Sequence, residues 1–135
     1  FGILNKTLMG KETVKTLARL KIKVKSINQQ IRNLSGGQQH AIAIGRAVYV
    51  GNTPRIISMD EPTAGLGVEE SKKVLDLMLE LKDKGISVIL ISHNLDHVFA
   101  VADRVIVLRS GESVGERKIE ETTHTEIVHM MMGVV

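Results

Sequence analysis

At 135 residues the chain has room for one domain or less, and no apolar run reaches bilayer-spanning length. It is 43% apolar but only 2% aromatic, so its core is aliphatic and base stacking on aromatic platforms is a poor hypothesis. The net charge of +3 is modest and cysteine is absent, which excludes a disulfide framework and thiolate metal sites and fits a soluble, cytosolic protein.

Residues 1–9 are a weakly patterned lead-in that starts abruptly, as a piece cut from something longer would. Residues 12–20 place Val14, Leu17, Ala18 and Leu20 at helical spacing, which predicts a short amphipathic helix. Residues 21–33 alternate Ile22, Val24 and Ile27 with polar residues and read as an extended loop. Lys21, Lys23 and Lys25 in it form a basic run, read as a solvated face rather than a nucleic-acid site. A helix then starts at Ser35 and runs to about Val50. Ala41, Ile42, Ala43, Ile44, Ala47 and Val48 make it apolar on most sides, so it is expected to be largely buried. Gly51 and Pro54 stop it.

Residues 55–59 predict a short apolar strand that delivers Asp60 and Glu61 at its C-terminal end. In open α/β sheets that is the end where ligands bind. Pro62-Thr63-Ala64-Gly65 reads as a turn. Residues 69–84 predict an amphipathic helix with Val74, Leu75, Met78 and Leu81 inward, ended by Gly85. The β-branched run 87–91 predicts a buried strand, followed by Ser92-His93. A short helix over 95–102, a third strand over 104–108, a turn at Ser110-Gly111, an edge strand over 113–118 and a closing helix over 125–132 complete the chain. This alternation implies a parallel α/β sheet with right-handed crossovers.

Chemistry concentrates at three places. In Leu34-Ser35-Gly36-Gly37-Gln38, Ser35 is a good N-cap and Gln38 completes a capping box. Gly36 and Gly37 let a ligand approach the backbone. Free N–H groups, a positive helix end and a hydroxyl together make an anion site, above all for phosphate. Asp60 at a strand end can hold Mg²⁺, and Glu61 beside it can orient and deprotonate a water. His93 ends the next strand. The other histidines, His40, His97, His124 and His129, have no zinc-site spacing.

The ordered set resembles the nucleotide-binding domain of ABC transporters. Leu34 to Gln38 looks like the family's signature motif, residues 56–61 like its Walker B strand with the catalytic glutamate Glu61, and His93 like its switch histidine. The resemblance covers only the C-terminal part of the family's domain. It implies an incomplete P-loop NTPase-type parallel α/β sheet with flanking helices, lacking the Walker A strand. Residues 1–33 then correspond to a remnant of the helical subdomain and 34–135 to the C-terminal part of the ATPase core. The nearest approach to Gly-x-x-x-x-Gly-Lys-Ser/Thr is Gly10-Lys11, with Glu12 where Ser or Thr must stand and Asn5 in place of the first glycine.

The resemblance further implies ATP and Mg²⁺ as cofactors. Asp60 is the implied metal ligand, and Glu61 and His93 the catalytic pair. Ser35, Gly36, Gly37 and Gln38 are implied to meet the γ-phosphate in trans, across a head-to-tail dimer with a second nucleotide-binding domain. Gly67 stands where the family usually has an Asp that bridges this dimer. That variant, with Ser92-His93-Asn94 and Asp96-His97-Val98-Phe99, is similar to the sugar-importer branch. Implied partners are a membrane permease and, indirectly, a periplasmic or extracellular substrate-binding protein, with no nucleic acid. The implied place is the cytoplasmic face of the membrane. The alternatives are an ABC-type ATPase of DNA repair or translation, or an inert folded module. In the family the Walker A strand lies between the strand ending at His93 and the strand over 104–108. Without it two rows of backbone groups lack partners. The flanking strands then pair directly, a second copy lends a strand, or the strand over 104–108 detaches and packs with the closing helix, and self-association is expected. Because the Walker A loop is missing, the piece alone is expected to be inactive.

Overall fold

The computed structural model describes residues 4–19, 23–49 and 54–134. They gather in two compact units, divided between Ile89 and Leu90. Each is built around its own apolar residues.

The first unit opens with helix α1 (Lys6–Arg19). It begins earlier than the hydrophobic spacing predicts. The lead-in is helical because Asn5 caps it: Asn5 Oδ1 accepts the Leu8 N–H at 3.0 Å. Gly10 therefore lies inside a helix, not in a phosphate loop. Its missing side chain admits Ile27, whose Cδ1 would stand 3.3 Å from a Cβ there. Residues 23–34 form turns, with a 3₁₀ turn at Ile31–Asn33, rather than one extended loop.

Helix α2 (Gly36–Tyr49) follows. It is less buried than its composition suggests. Ile44 and Gly45 are buried, Ala41 and Ile42 half-buried, and Ala43 and Ala47 exposed. Among the described side chains, the covered stripe is the one facing α1 and the next helix, α3 (Val68–Asp83); that of Val48, also expected to be buried, lies outside them. The expected stop at Gly51, and Leu20, Lys21, Ile22 and Val50, lie outside the described residues.

Strand β1 (Ile56–Asp60) alternates strictly, with Ile57 and Met59 buried and Ile56 58% exposed. Ser71, Val74, Leu77, Met78 and Leu81 form the buried stripe of α3. Leu77 lies in it, and Leu75, expected inward, is half-buried. The spacing 71, 74, 77, 78 and 81 follows one helical face, and residue 75 sits at its margin. Gly85 closes α3 at φ 75°, left-handed backbone that favours glycine. Strand β2 (Ser87–Ile91) pairs with β1 in a small parallel sheet. It was expected to be buried, but Ile89 and Ile91 are 50% and 52% exposed. Among the described residues one face of this strand is uncovered, although its β-branched run suits burial on both faces.

In the second unit, helix α4 (Leu95–Val101) is capped by Asn94, whose Oδ1 accepts the His97 N–H at 3.2 Å. Strand β3 (Arg104–Arg109) does not extend the parallel sheet. It pairs antiparallel with β4 (Glu112–Lys118) in a separate two-stranded sheet. The turn between them has φ 53° at Ser110 and 84° at Gly111. Two consecutive left-handed residues give the tight hairpin that matches strand twist. Register passes from Val107↔Gly115 to Leu108↔Ser113, so Val114 forms a bulge. Helix α5 (His124–Met132) packs on this hairpin through Ile127, which is 1% exposed. A Cβ on Gly115 would strike Met130 Cε, so the strand must be bare there for the helix to sit close. Thr122 Oγ1 and Arg117 Nε donate to Glu126 and hold its carboxyl below the usual range.

No ladder joins β2 to β3 among the described residues. Ile56, Ile89 and Ile91 on one sheet, and Ile106 (48%) and Leu108 (71%) on the other, remain exposed. Burying such surface is favourable at about 25 cal/mol per Å². Multi-angle light scattering of the 135-residue chain should therefore give an apparent mass that rises with concentration. A constant monomer mass up to millimolar concentration would contradict this.

Candidate functional site

The capping box predicted from sequence is formed. Gln38 N–H donates to Ser35 Oγ at 3.3 Å, and Ser35 N–H donates to Gln38 Oε1 at 2.9 Å. The Gln38 side chain also donates to the Lys23 carbonyl at 2.7 Å, which ties the preceding loop to the helix start. Ser35 is exposed, Gly36 exposed and Gly37 buried. The first turn of α2 thus presents backbone donors and a hydroxyl at the surface, fixed by reciprocal hydrogen bonds.

Asp60 is the last residue of β1 and exposed; Glu61 follows in the turn and is half-buried. Glu61 has φ 45°, left-handed backbone that a non-glycine residue rarely adopts. Strain of this kind gathers at functional sites, held by the surrounding structure. The turn beyond is closed by Ala64 N–H to Glu61 O at 3.0 Å and Leu66 N–H to Thr63 O at 3.2 Å, over buried Pro62 and Thr63. This turn reaches α2: a Cβ on Gly36 would lie 3.1 Å from Leu66 Cδ2. The signature-like helix end and the carboxylate-bearing turn therefore meet within one unit.

Sequence reasoning missed Glu70. Ser35 Oγ donates to Glu70 Oε1 at 2.8 Å, across 35 positions of sequence. No local pattern reports a contact of that span. The available signal was a glutamate three residues after Gly67, an N-cap without a side chain to complete a capping box.

His93 belongs to the second unit. It is exposed, in the bend between β2 and α4. The bend is fixed on its other side by Asn94 N–H donating to Ser92 Oγ at 3.1 Å. Of the remaining histidines, His124 stacks on Phe99 at 3.8 Å and contacts Asp96 at 3.3 Å, and His129 is exposed. Among the described residues no three His, Cys, Asp or Glu side chains gather as a metal cage. Asp60, an exposed carboxylate at the strand end, has the chemistry of a magnesium ligand in nucleotide sites, where phosphate oxygens and water complete the shell.

No protein-family model matches the chain. Individual proteins do. It is 46% identical over 128 residues to the xylose/arabinose import ATP-binding protein XylG of Sulfolobus acidocaldarius, covering 95% of this chain and 50% of that protein. It is 39% identical over 134 residues to the fructose import ATP-binding protein FrcA of Rhizobium meliloti, covering 98% and 51%. The ADP conformation of MJ1267, an ATP-binding cassette of an ABC transporter, superposes with a TM-score of 0.76 at 31% identity, over 98% of this chain and 53% of that one. This chain belongs to the ABC transporter ATP-binding family. It spans about half the length of the curated relatives it matches. A dimeric cassette, MJ0796 in a post-hydrolysis state bound to ADP and Pi, superposes with a TM-score of 0.72 at 29% identity, over 87% and 50%. The fold is thus that of an ABC cassette in part: α/β, with a small parallel sheet and helices. No helix among the described residues is long and apolar enough to cross a membrane.

Proposed function

We propose that this ABC-family chain supplies the signature helix, Walker B strand and switch histidine of a subunit that hydrolyses ATP to drive import of a sugar. The observation that carries this reading is the capped end of α2 lying against the turn that follows Asp60 and Glu61. Ser35, whose hydroxyl is donated to Glu70 in this structure, and the N–H groups of Gly36 and Gly37 stand at the start of α2, which suits a phosphate presented by another molecule. In the proposed head-to-tail dimer that phosphate is the γ-phosphate of ATP on a second cassette. Glu61 orients the attacking water and takes its proton. His93 donates to the γ-phosphate. Asp60 would hold Mg²⁺, which when bound offsets phosphate charge. A membrane permease as partner, a substrate-binding protein beyond it, and a place at the cytoplasmic face of the membrane belong to the same proposal. So does the division into a helical part, residues 1–33, and a core part, 34–135.

The relatives whose names specify sugar import support the cargo class. The 135 residues contain no Gly-x-x-x-x-Gly-Lys-Ser/Thr, whose lysine and backbone cradle supply most phosphate binding. Steady-state ATPase of the purified chain should therefore equal a buffer blank. Joining it to the first half of the Sulfolobus acidocaldarius relative should create turnover. Activity in the chain alone that disappears in Glu61→Gln, or a folded but inactive chimera, would count against the proposal. Co-purification of the active chimera with a permease would separate transport from the other uses of such ATPases.

A further inference from the structure

Ser35 carries one hydroxyl hydrogen, and it is already committed. It is donated to Glu70 Oε1 at 2.8 Å, while the same oxygen accepts the Gln38 N–H at 3.3 Å. Glu70 also lies over Gly37. A Cβ added to Gly37 would be 3.0 Å from Glu70 Cβ, 3.3 Å from Cγ and 3.2 Å from Cδ, the carboxylate carbon. The glutamate thus lies over Gly37 from its Cβ to its carboxylate. A carboxylate there is favoured by the positive end of α2. Glu70 is the third residue of α3, where a glutamate commonly turns back to its own N-cap. Here it reaches across to another helix.

A phosphate arriving at Ser35 and Gly37 would compete for the same hydroxyl hydrogen and meet a like charge at contact distance. Both anions cannot be served at once. We infer that Glu70 is a built-in occupant of the signature site, a carboxylate that must leave Ser35 before a phosphate group is received there. The inference rests on the reading of Ser35 to Gln38 as a phosphate-receiving end.

The test is a titration of the ¹⁵N-labelled chain with inorganic phosphate, at constant ionic strength, following the amides of Gly36, Gly37 and Gln38. Wild type is compared with Glu70→Ala and Glu70→Gln, the latter keeping size and a hydrogen-bond acceptor without charge. Half-saturation should fall about tenfold in Glu70→Ala, within the usual range of coupling between sites, and by less in Glu70→Gln. Adding Ser35→Ala to Glu70→Ala should remove the gain. Equal half-saturation in wild type and both single variants, with shifts at those three amides, would overturn the role of Glu70 and leave the phosphate site standing. No shift at those amides in any variant would overturn both. Spectral dispersion reports whether each variant is folded, and Glu70→Gln carries the test should Glu70→Ala lose its fold.

Discussion

Glu61→Gln is expected to lower ATP turnover of the chimeric cassette by about 10²–10⁴-fold, the usual contribution of a positioned general base, while leaving ATP affinity within a few-fold. The reason lies in how the work divides. Binding rests on the phosphate cradle and Mg²⁺, whereas Glu61 acts on the water. Gln keeps the shape and the left-handed backbone, with φ 45° at this residue, and removes the charge and basicity of the carboxylate. Thermal melting of the variant, measured alongside, separates a loss of folding from a loss of catalysis. Glu61→Gly gives the complementary control. It relieves a backbone conformation that costs an L-residue about 1–2 kcal/mol and removes the base. A melting point raised or unchanged, together with lost turnover, would show strain held at the site for function. Single-turnover hydrolysis by Glu61→Gln within a few-fold of the parent would refute the base assignment.

The site was legible in the sequence where its chemistry is local. The capping box needs only Ser35 and Gln38 three residues apart, and both hydrogen bonds are present. Asp60 and Glu61 could be placed at a strand end because apolar alternation stops there. Glu70 could not be found this way, since its partner Ser35 is distant in sequence and only the packing of α3 on α2 joins them. The fold shows the same division. Helices with a cap or a glycine stop were bounded closely, as with α5, capped by Thr123 and ended by Gly133. The start of α1 was missed because its signal, the side chain of Asn5, lies in a stretch with no hydrophobic period. Burial of β2 was overestimated for another reason. A β-branched run reports what a strand can bury, and Ile89 and Ile91 stay exposed among the described residues. The turn at Ser110-Gly111 that brings β4 against β3 is a local signal and was legible, whereas the sheet that β3 joins, expected to be the parallel one, depends on distant strands.

Leu81→Ala is expected to cost about 2–5 kcal/mol, the range for truncating a buried leucine. Leu81 is 0% exposed and lies on the stripe of α3 with Val74, Leu77 and Met78, which are 2%, 6% and 2% exposed. Two terms add. The lost side-chain atoms forfeit their transfer free energy. The cavity persists because its walls are anchored: Ile86 N–H donates to Leu81 O at 3.0 Å, and Lys84 N–H to the same carbonyl at 3.1 Å. The backbone around Leu81 is held by these bonds and collapses little into the space. Against a typical stability of about 5–15 kcal/mol, such a loss is a large share. In urea the midpoint should fall by roughly 1–3 M with an unchanged slope. Leu79→Ala is the internal comparison, since Leu79 is 38% exposed on the same helix and should change stability by about 0.5 kcal/mol or less. Leu77→Ala and Leu75→Ala then read the helix register directly. Leu77 is buried and Leu75 half-buried, so the first should cost clearly more. The reverse order would mean that α3 is rotated from the position that brings Glu70 to Ser35, and the contact at the signature helix would fall with it.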